Sequence, residues 1–244
     1  MCTLIVVRET GRLRVAANRD ERLDRPARPP TRWTLGERVA VAPVDVQAGG
    51  TWIGVNDRGL FAAITNRFGV AHQADAPSRG RFVPLALTAE DAATAAAAVQ
   101  DRAGRENGFH LVVADCEQAF ELVYDGAELR MRGLPDGVTV VTERSRGAAP
   151  APREAVITEL LRQHGTEREA LARVLDHADA AHPLNGVRVH APAANYGTRS
   201  AALIELTPHA LRFEHAERYP SEEAPFADYA AVVTEGFSPS GEGR

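Results

Sequence analysis

Apolar and polar positions divide the chain into strand-like runs first and helical runs later. Cys2 to Arg8 and Leu13 to Asn18 are apolar, β-branched runs joined by Glu9-Thr10-Gly11-Arg12, a pattern that predicts a hairpin. Pro26, Pro29 and Pro30 then predict a loop, with a short strand from Val39 to Ala42 after it. A second hairpin is predicted from Thr51 to Asn56, through Asp57-Arg58-Gly59, to Leu60 to Asn66. Both of its strands carry apolar residues on both parities, as expected of a sheet covered on both faces. Further strands are expected at Phe109 to Ala114, Ala119 to Tyr124, Glu128 to Arg132 and Val138 to Thr142. The last two, Ser200 to Leu206 and Ala210 to His215, are joined by Thr207-Pro208-His209.

Helices are expected at Ala89 to Arg102, behind a capping box of Thr88 and Asp91, and at Glu167 to Ala181, behind Thr166 and Glu169. A third runs from Pro152 to His164. Runs of strands followed by runs of helices indicate α+β and not alternating βαβ units. No internal repeat is present. The expected organisation is a single domain over residues 1–237 with a frayed tail over 238–244.

Composition narrows the function classes. The chain has 244 residues, 44% of them apolar, enough for one substantial core. Its longest early apolar run, Leu4 to Val7, is far too short for a signal-peptide core or a membrane span, so a cytoplasmic protein without a membrane span is expected. Cys2 and Cys116 lie far apart and suggest neither a disulfide framework nor a cysteine metal site. Net charge is -5, and the arginines crowding the first forty positions are interleaved with Glu9, Asp20, Glu21, Asp24 and Glu37. That mixture reads as a solvated face and predicts no nucleic-acid partner. No lysine occurs anywhere, which excludes a P-loop lysine, a Schiff-base lysine and a lysine general base. Asp179 and His182 share helical spacing but read as a helix terminus, so no metal is predicted. Gly49-Gly50 precedes a strand and reads as hairpin entry. Trp33, Trp52 and Tyr196 suit either a ligand cleft or core packing.

The candidate chemistry sits at the start. Methionine aminopeptidase removes a leading methionine before a small residue, which makes Cys2 the amino terminus. A thiol with reference pKa about 8.5 beside an α-amine of about 7.7–8.0 is a nucleophile next to its own base. The alternative is a small hydrophobe in a buried strand. The hairpin brings Asn18-Arg19-Asp20-Glu21 near Cys2. Asp20 is placed to hold the α-ammonium, and Arg19 or Arg22 to favour a thiolate; the same tetrapeptide also suits a solvated turn. If catalytic, Cys2 is expected to alkylate faster than Cys116, and Asp20→Asn to leave folding nearly intact.

Four blocks, MCT at the start, AANRDE, GGTWIGVNDRGLFAAITNR and NYGTRSAALIEL, fall in order from Cys2 to about Leu206. Together they resemble the NRDE-motif family, also called transport and Golgi organisation protein 2-like, which is similar to the cysteine branch of the N-terminal-nucleophile hydrolases. The resemblance implies a four-layer αββα sandwich of two antiparallel sheets between helical layers. It implies Cys2 as nucleophile, Asp20 orienting its amine, Asn66 as an oxyanion donor and Arg199 as a late arginine reaching the nucleophile. Asn18, Arg19, Trp52, Glu143 and Tyr196 are the accompanying substrate-side candidates. Ala17 stands where the cysteine branch has its arginine, and Arg19 is expected on the opposite side of the strand. Thr142-Glu143 replaces the family's Ser-Asn, and a carboxylate donates to an oxyanion only when protonated.

The implied function is an N-terminal-cysteine amidohydrolase or acyltransferase acting on an amide or related acyl bond of a small molecule, at C–N bonds other than peptide bonds. The alternative is a non-catalytic small-ligand binding or trafficking protein for haem or lipid on the same fold, so whether the chain is an enzyme stays open. No cofactor is expected. The partner is a small-molecule acyl substrate or ligand, and an oligomer is compatible with the sequence.

Overall fold

The computed structural model describes residues 2–147, 151–219 and 224–234. The predicted tail at 238–244 lies outside them. Strands β1 (Cys2–Glu9) and β2 (Arg12–Arg22) form the first hairpin, followed by β3 (Ala27–Leu35), β4 (Arg38–Asp45), β5 (Ile53–Asn56) and β6 (Phe61–Asn66). Helices α1 (Phe82–Ala86) and α2 (Ala92–Gln100) precede β7 (Phe109–Ala114), β8 (Ala119–Tyr124), β9 (Leu129–Gly133) and β10 (Gly137–Thr142). Helices α3 (Pro152–His164) and α4 (Arg168–Leu175) follow. The chain then forms β11 (His190–Ala191), β12 (Tyr196–Thr207), β13 (Ala210–Glu217), β14 (Ala227–Asp228) and α5 (Ala231–Thr234).

The strands build two antiparallel sheets. One has the order β10-β1-β2-β12-β13-β14, with β11 on β12, and the other runs in sequence order from β3 to β9. Three apolar clusters account for the layering. Leu4, Val6, Leu13 and Val15 of the first sheet meet Val41, Ile53, Phe61 and Val112 of the second in the central core. The outer face of the second sheet packs Phe109, Leu111 and Leu122 against Phe82, Val83 and Ala96 of α1 and α2. The outer face of the first packs Ile5, Val7 and Leu203 against Ile157, Leu161 and Leu171 of α3 and α4. Each sheet is therefore apolar on both faces, the reason β1 and β6 read as continuous apolar runs. The result is a four-layer αββα sandwich, in agreement with the expectation.

Local departures have identifiable causes. The proline segment expected as a loop is strand β3, at the edge of its sheet, where missing N–H groups are tolerated. Its register shifts between Arg28 and Thr31, across Pro29 and Pro30. Helix α2 starts three residues later than expected because Asp91, not Thr88, is its N-cap, accepting from the Thr94 N–H at 2.7 Å. Helix α4 stops at Leu175 instead of Ala181. There the Asp179 carboxylate takes the Ala181 and His182 N–H groups, a local turn that competes with helix. Among the described residues no helix is long and apolar enough to cross a membrane.

Candidate active site

Strand pairing places the candidate nucleophile. Cys2 lies directly opposite Arg19 in the β1–β2 ladder, and paired residues of an antiparallel ladder share a face. Both therefore point between the sheets, in line with Leu4, Leu13 and Val15. The expectation that Arg19 falls on the wrong side of the strand is corrected: side chains alternate, so Arg19 shares the face of Ala17, the position two residues before it. Beyond the ends of these strands the central core opens into a cleft of about 460 Å³. Cys2, Arg19, Asp20, Trp52 and Asn66 line it. The Arg19 guanidinium stacks over the Trp52 ring at 4.2 Å. Trp33, by contrast, donates from its indole to Ala42 O and belongs to the outer core.

The NRDE tetrapeptide is strand, not turn. Asn18, Arg19 and Asp20 are all buried. Asp20, 2% exposed, accepts from the Arg153 guanidinium at 3.0 Å and from the Thr198 hydroxyl at 2.7 Å. Arg153 also donates to the Thr3 hydroxyl and to Leu184 O, which locks the first turn of α3 to the nucleophile strand. Burial pushes the Asp20 carboxyl up from its usual range, and the Arg153 charge pulls against it. The Cys2 thiol is likewise pushed up by burial, and further by the Asp20 charge, while Arg19 opposes the shift. The resting group is thus a thiol, which needs a base before it can attack. Arg22, the other cation considered for this role, is exposed and forks onto Asp24.

Four candidates do not line the cleft. Asn18 alternates to the helical face, where its amide donates to Leu175 O and Val187 O at 2.8 and 2.9 Å. Arg199 sits at a bulge between Thr198 and Ser200, which turns it away, and it donates to Leu23 O with its guanidinium over Tyr219. Tyr196 donates its hydroxyl to Asp20 O at 2.8 Å and so braces the strand from behind; burial raises its pKa. Glu143 follows Thr142, the partner of Thr3, and is buried. Its Oε1 is 3.5 Å from Arg144 Nε, and its Oε2 has no hydrogen-bond partner.

The structure adds groups that no motif flagged. Asp45 pairs with Arg19 at 3.1 Å and Arg25 at 2.9 Å, and also accepts the Gln47 and Ala48 N–H groups. Arg79 enters the cleft from a segment pressed on Gly50: a Cβ there would meet the Gly80 carbonyl oxygen at 2.7 Å. Gly50 is thus explained by close approach, beyond hairpin entry. Thr198 lies within the NYGTRS block, which was its only sequence signal. Arg153 and Arg79 had none.

Comparison with known proteins agrees with this architecture. An N-acylethanolamine-hydrolyzing acid amidase ortholog from Caenorhabditis elegans superposes with a TM-score of 0.60 at 12% identity, covering 83% of this chain and 92% of that one. Penicillin V acylase from Agrobacterium tumefaciens gives 0.58 at 13% identity, covering 98% and 89%. These likenesses establish the fold. The Transport and Golgi organization protein 2 homolog of Bos taurus is 28% identical over 234 residues, 82% of this chain and 83% of that protein. Residues 1–221 match the family model for Transport and Golgi organisation 2, and the chain belongs to that family.

Proposed function

We propose that this chain is an N-terminal-cysteine acyl-transfer enzyme, an amidohydrolase or acyltransferase acting on a C–N or related acyl bond of a small molecule. The observation that carries the reading is the pairing of Cys2 with Arg19 at the wall of a cleft that Asn66 also lines, with buried Asp20 next along the strand. The amidase and acylase names of the fold neighbours point the same way.

The chemistry requires Met1 to be removed. The freed α-amine of Cys2, oriented by Asp20, takes the thiol proton, and the sulfur attacks the acyl carbon. Asn66 donates to the oxyanion that forms. The α-ammonium returns its proton to the leaving nitrogen as the C–N bond breaks, leaving a thioester on Cys2. Water, deprotonated by the same amine, hydrolyses the thioester and regenerates the thiol; an amine in place of water gives transfer.

Glu143 favours a second reading, a non-catalytic binding or trafficking protein for haem or lipid. A buried carboxylate stands where the resemblance leads one to expect an amide donor. Intact mass spectrometry of protein from its natural host, before and after exposure to p-nitrophenyl octanoate, separates the two. The catalytic reading requires loss of one methionine and an octanoyl adduct on Cys2 that turns over and is missing in Cys2→Ala. Retained Met1, or no adduct, rejects it.

A further inference from the structure

The cleft holds three guanidinium groups beside Cys2, those of Arg19, Arg25 and Arg79. Two are matched. Arg19 and Arg25 share Asp45, and Arg25 also reaches Glu21 at 3.5 Å. The remaining cleft carboxylate, Asp20, is engaged from behind by Arg153. Arg79 is half-buried, donates to Gly108 O at 2.8 Å, and has no carboxylate within ion-pair distance among the described residues. Its position is electrostatically sensitive: burial lowers its pKa, a charged Cys2 raises it, Arg25 lowers it, and the more distant Glu21 carboxylate raises it slightly. A second donor is open as well, because Nη1 of Arg19, a residue 5% exposed, has no hydrogen-bond partner.

A half-buried cation without a counter-ion is costly unless something supplies the charge. Arg79 is thus the cleft guanidinium left without a carboxylate within ion-pair distance among the described residues, and one anionic group would match it. A guanidinium fork suits the two oxygens of a carboxylate. The cleft volume is that of a small-molecule site.

We infer that the site takes an N-acyl compound bearing a carboxylate, with the carboxylate on Arg79 while the acyl carbonyl lies at Cys2. This rests on the acyl-transfer reading for the placement of the carbonyl, whereas the anion site stands on the arginines alone. Neutral N-acyl alcohol amines are correspondingly poor ligands.

The test is binding of N-octanoylglycine and its neutral counterpart N-octanoylglycinamide to full-length Cys2→Ala protein, followed by calorimetry. One charge-assisted contact predicts that the acid binds at least about tenfold tighter than the amide. Arg79→Gln in the same background should bring the ratio near one, and Arg79→Lys should keep most of it. Equal binding of acid and amide, no binding of the acid, or a preference that survives Arg79→Gln overturns the inference. Cys2 acylation by p-nitrophenyl octanoate reports separately on the catalytic reading. An intact acid preference without acylation rejects catalysis and keeps the anion site; acylation without acid preference does the reverse.

Discussion

Cys2 and Arg19 face each other across the first hairpin, so the nucleophile candidate and its cross-strand cation are fixed by one ladder register. A slip of one residue would send one of them to the helical face. Arg19 works against the burial that raises the Cys2 thiol. Replacing it with leucine removes one of the contributions that favour the thiolate, beside those of the amino terminus and the Asp20 backbone, and iodoacetamide labelling of Cys2 at pH 7.5 should slow by about threefold. Cys116 supplies the internal reference, since burial and the charges of Asp115 and Glu117 push its thiol to about 11. Cys2 should label faster than Cys116 in the wild type. An unchanged rate in Arg19→Leu would remove Arg19 from the activation of Cys2.

Asp20 is not the freely substitutable turn residue that its sequence context suggests. Its carboxylate is the charge partner of buried Arg153. Asp20→Asn keeps the shape but leaves that guanidinium uncompensated, and breaking such a buried pair costs about 3–5 kcal/mol. Thermal unfolding should therefore drop by many degrees, and Asp20→Asn with Arg153→Met should recover part of the loss. A singly substituted protein as stable as wild type would show that Arg153 finds its charge elsewhere.

Much of this arrangement was legible in the chain. Apolar residues on both parities of β1, β5 and β6 announce sheets covered on both faces, and the four sequence blocks locate Cys2, Asp20 and Asn66. What stayed hidden depends on pairing across long separations. Arg153 and Thr198 reach Asp20 from 133 and 178 residues away; nothing local marks Arg153, and the NYGTRS block contains Thr198 without pointing it at Asp20. Arg199 is displaced by a bulge, and bulges have no signature in a strand lacking glycine at that point. The prolines of β3 read as a loop, and only the sheet order shows that they sit in an edge strand.

Asn18 separates structural from catalytic members of the motif. Its amide satisfies Leu175 O at the last turn of α4 and Val187 O in the following segment, both inside the helical layer. Asn18→Ala orphans two acceptors and opens a small void, a cost of about 2–3 kcal/mol. Denaturant unfolding should show that loss, while the alkylation rate of Cys2 under native conditions stays within about twofold of wild type. A large change in Cys2 reactivity at unchanged stability would return Asn18 to the site.

The most acid-sensitive element predicted for the fold lies away from the cleft. Glu121 on β8 is fully buried, accepts from His110 Nδ1–H at 3.2 Å, and is held by Arg132 at 2.6 Å and Arg146 at 2.8 Å. Burial alone would raise its pKa, but the His110 hydrogen bond and the two guanidinium groups outweigh it and hold the carboxyl at about 2. Because the folded value lies below the unfolded value of 4.5, the linked stability is fully present above pH 4.5 and is lost as pH falls from there toward 2. The shift corresponds to about 2–3 kcal/mol once discounted for Arg132, which stands half in solvent. Urea unfolding between pH 6 and pH 2.5 should show this loss, since the protein binds more protons unfolded than folded in that window. Glu121→Gln should be less stable at pH 6, with two arginines left unneutralised, and should lose less than the wild type on acidification. Parallel pH profiles for the two proteins would place the acid sensitivity in other carboxylates.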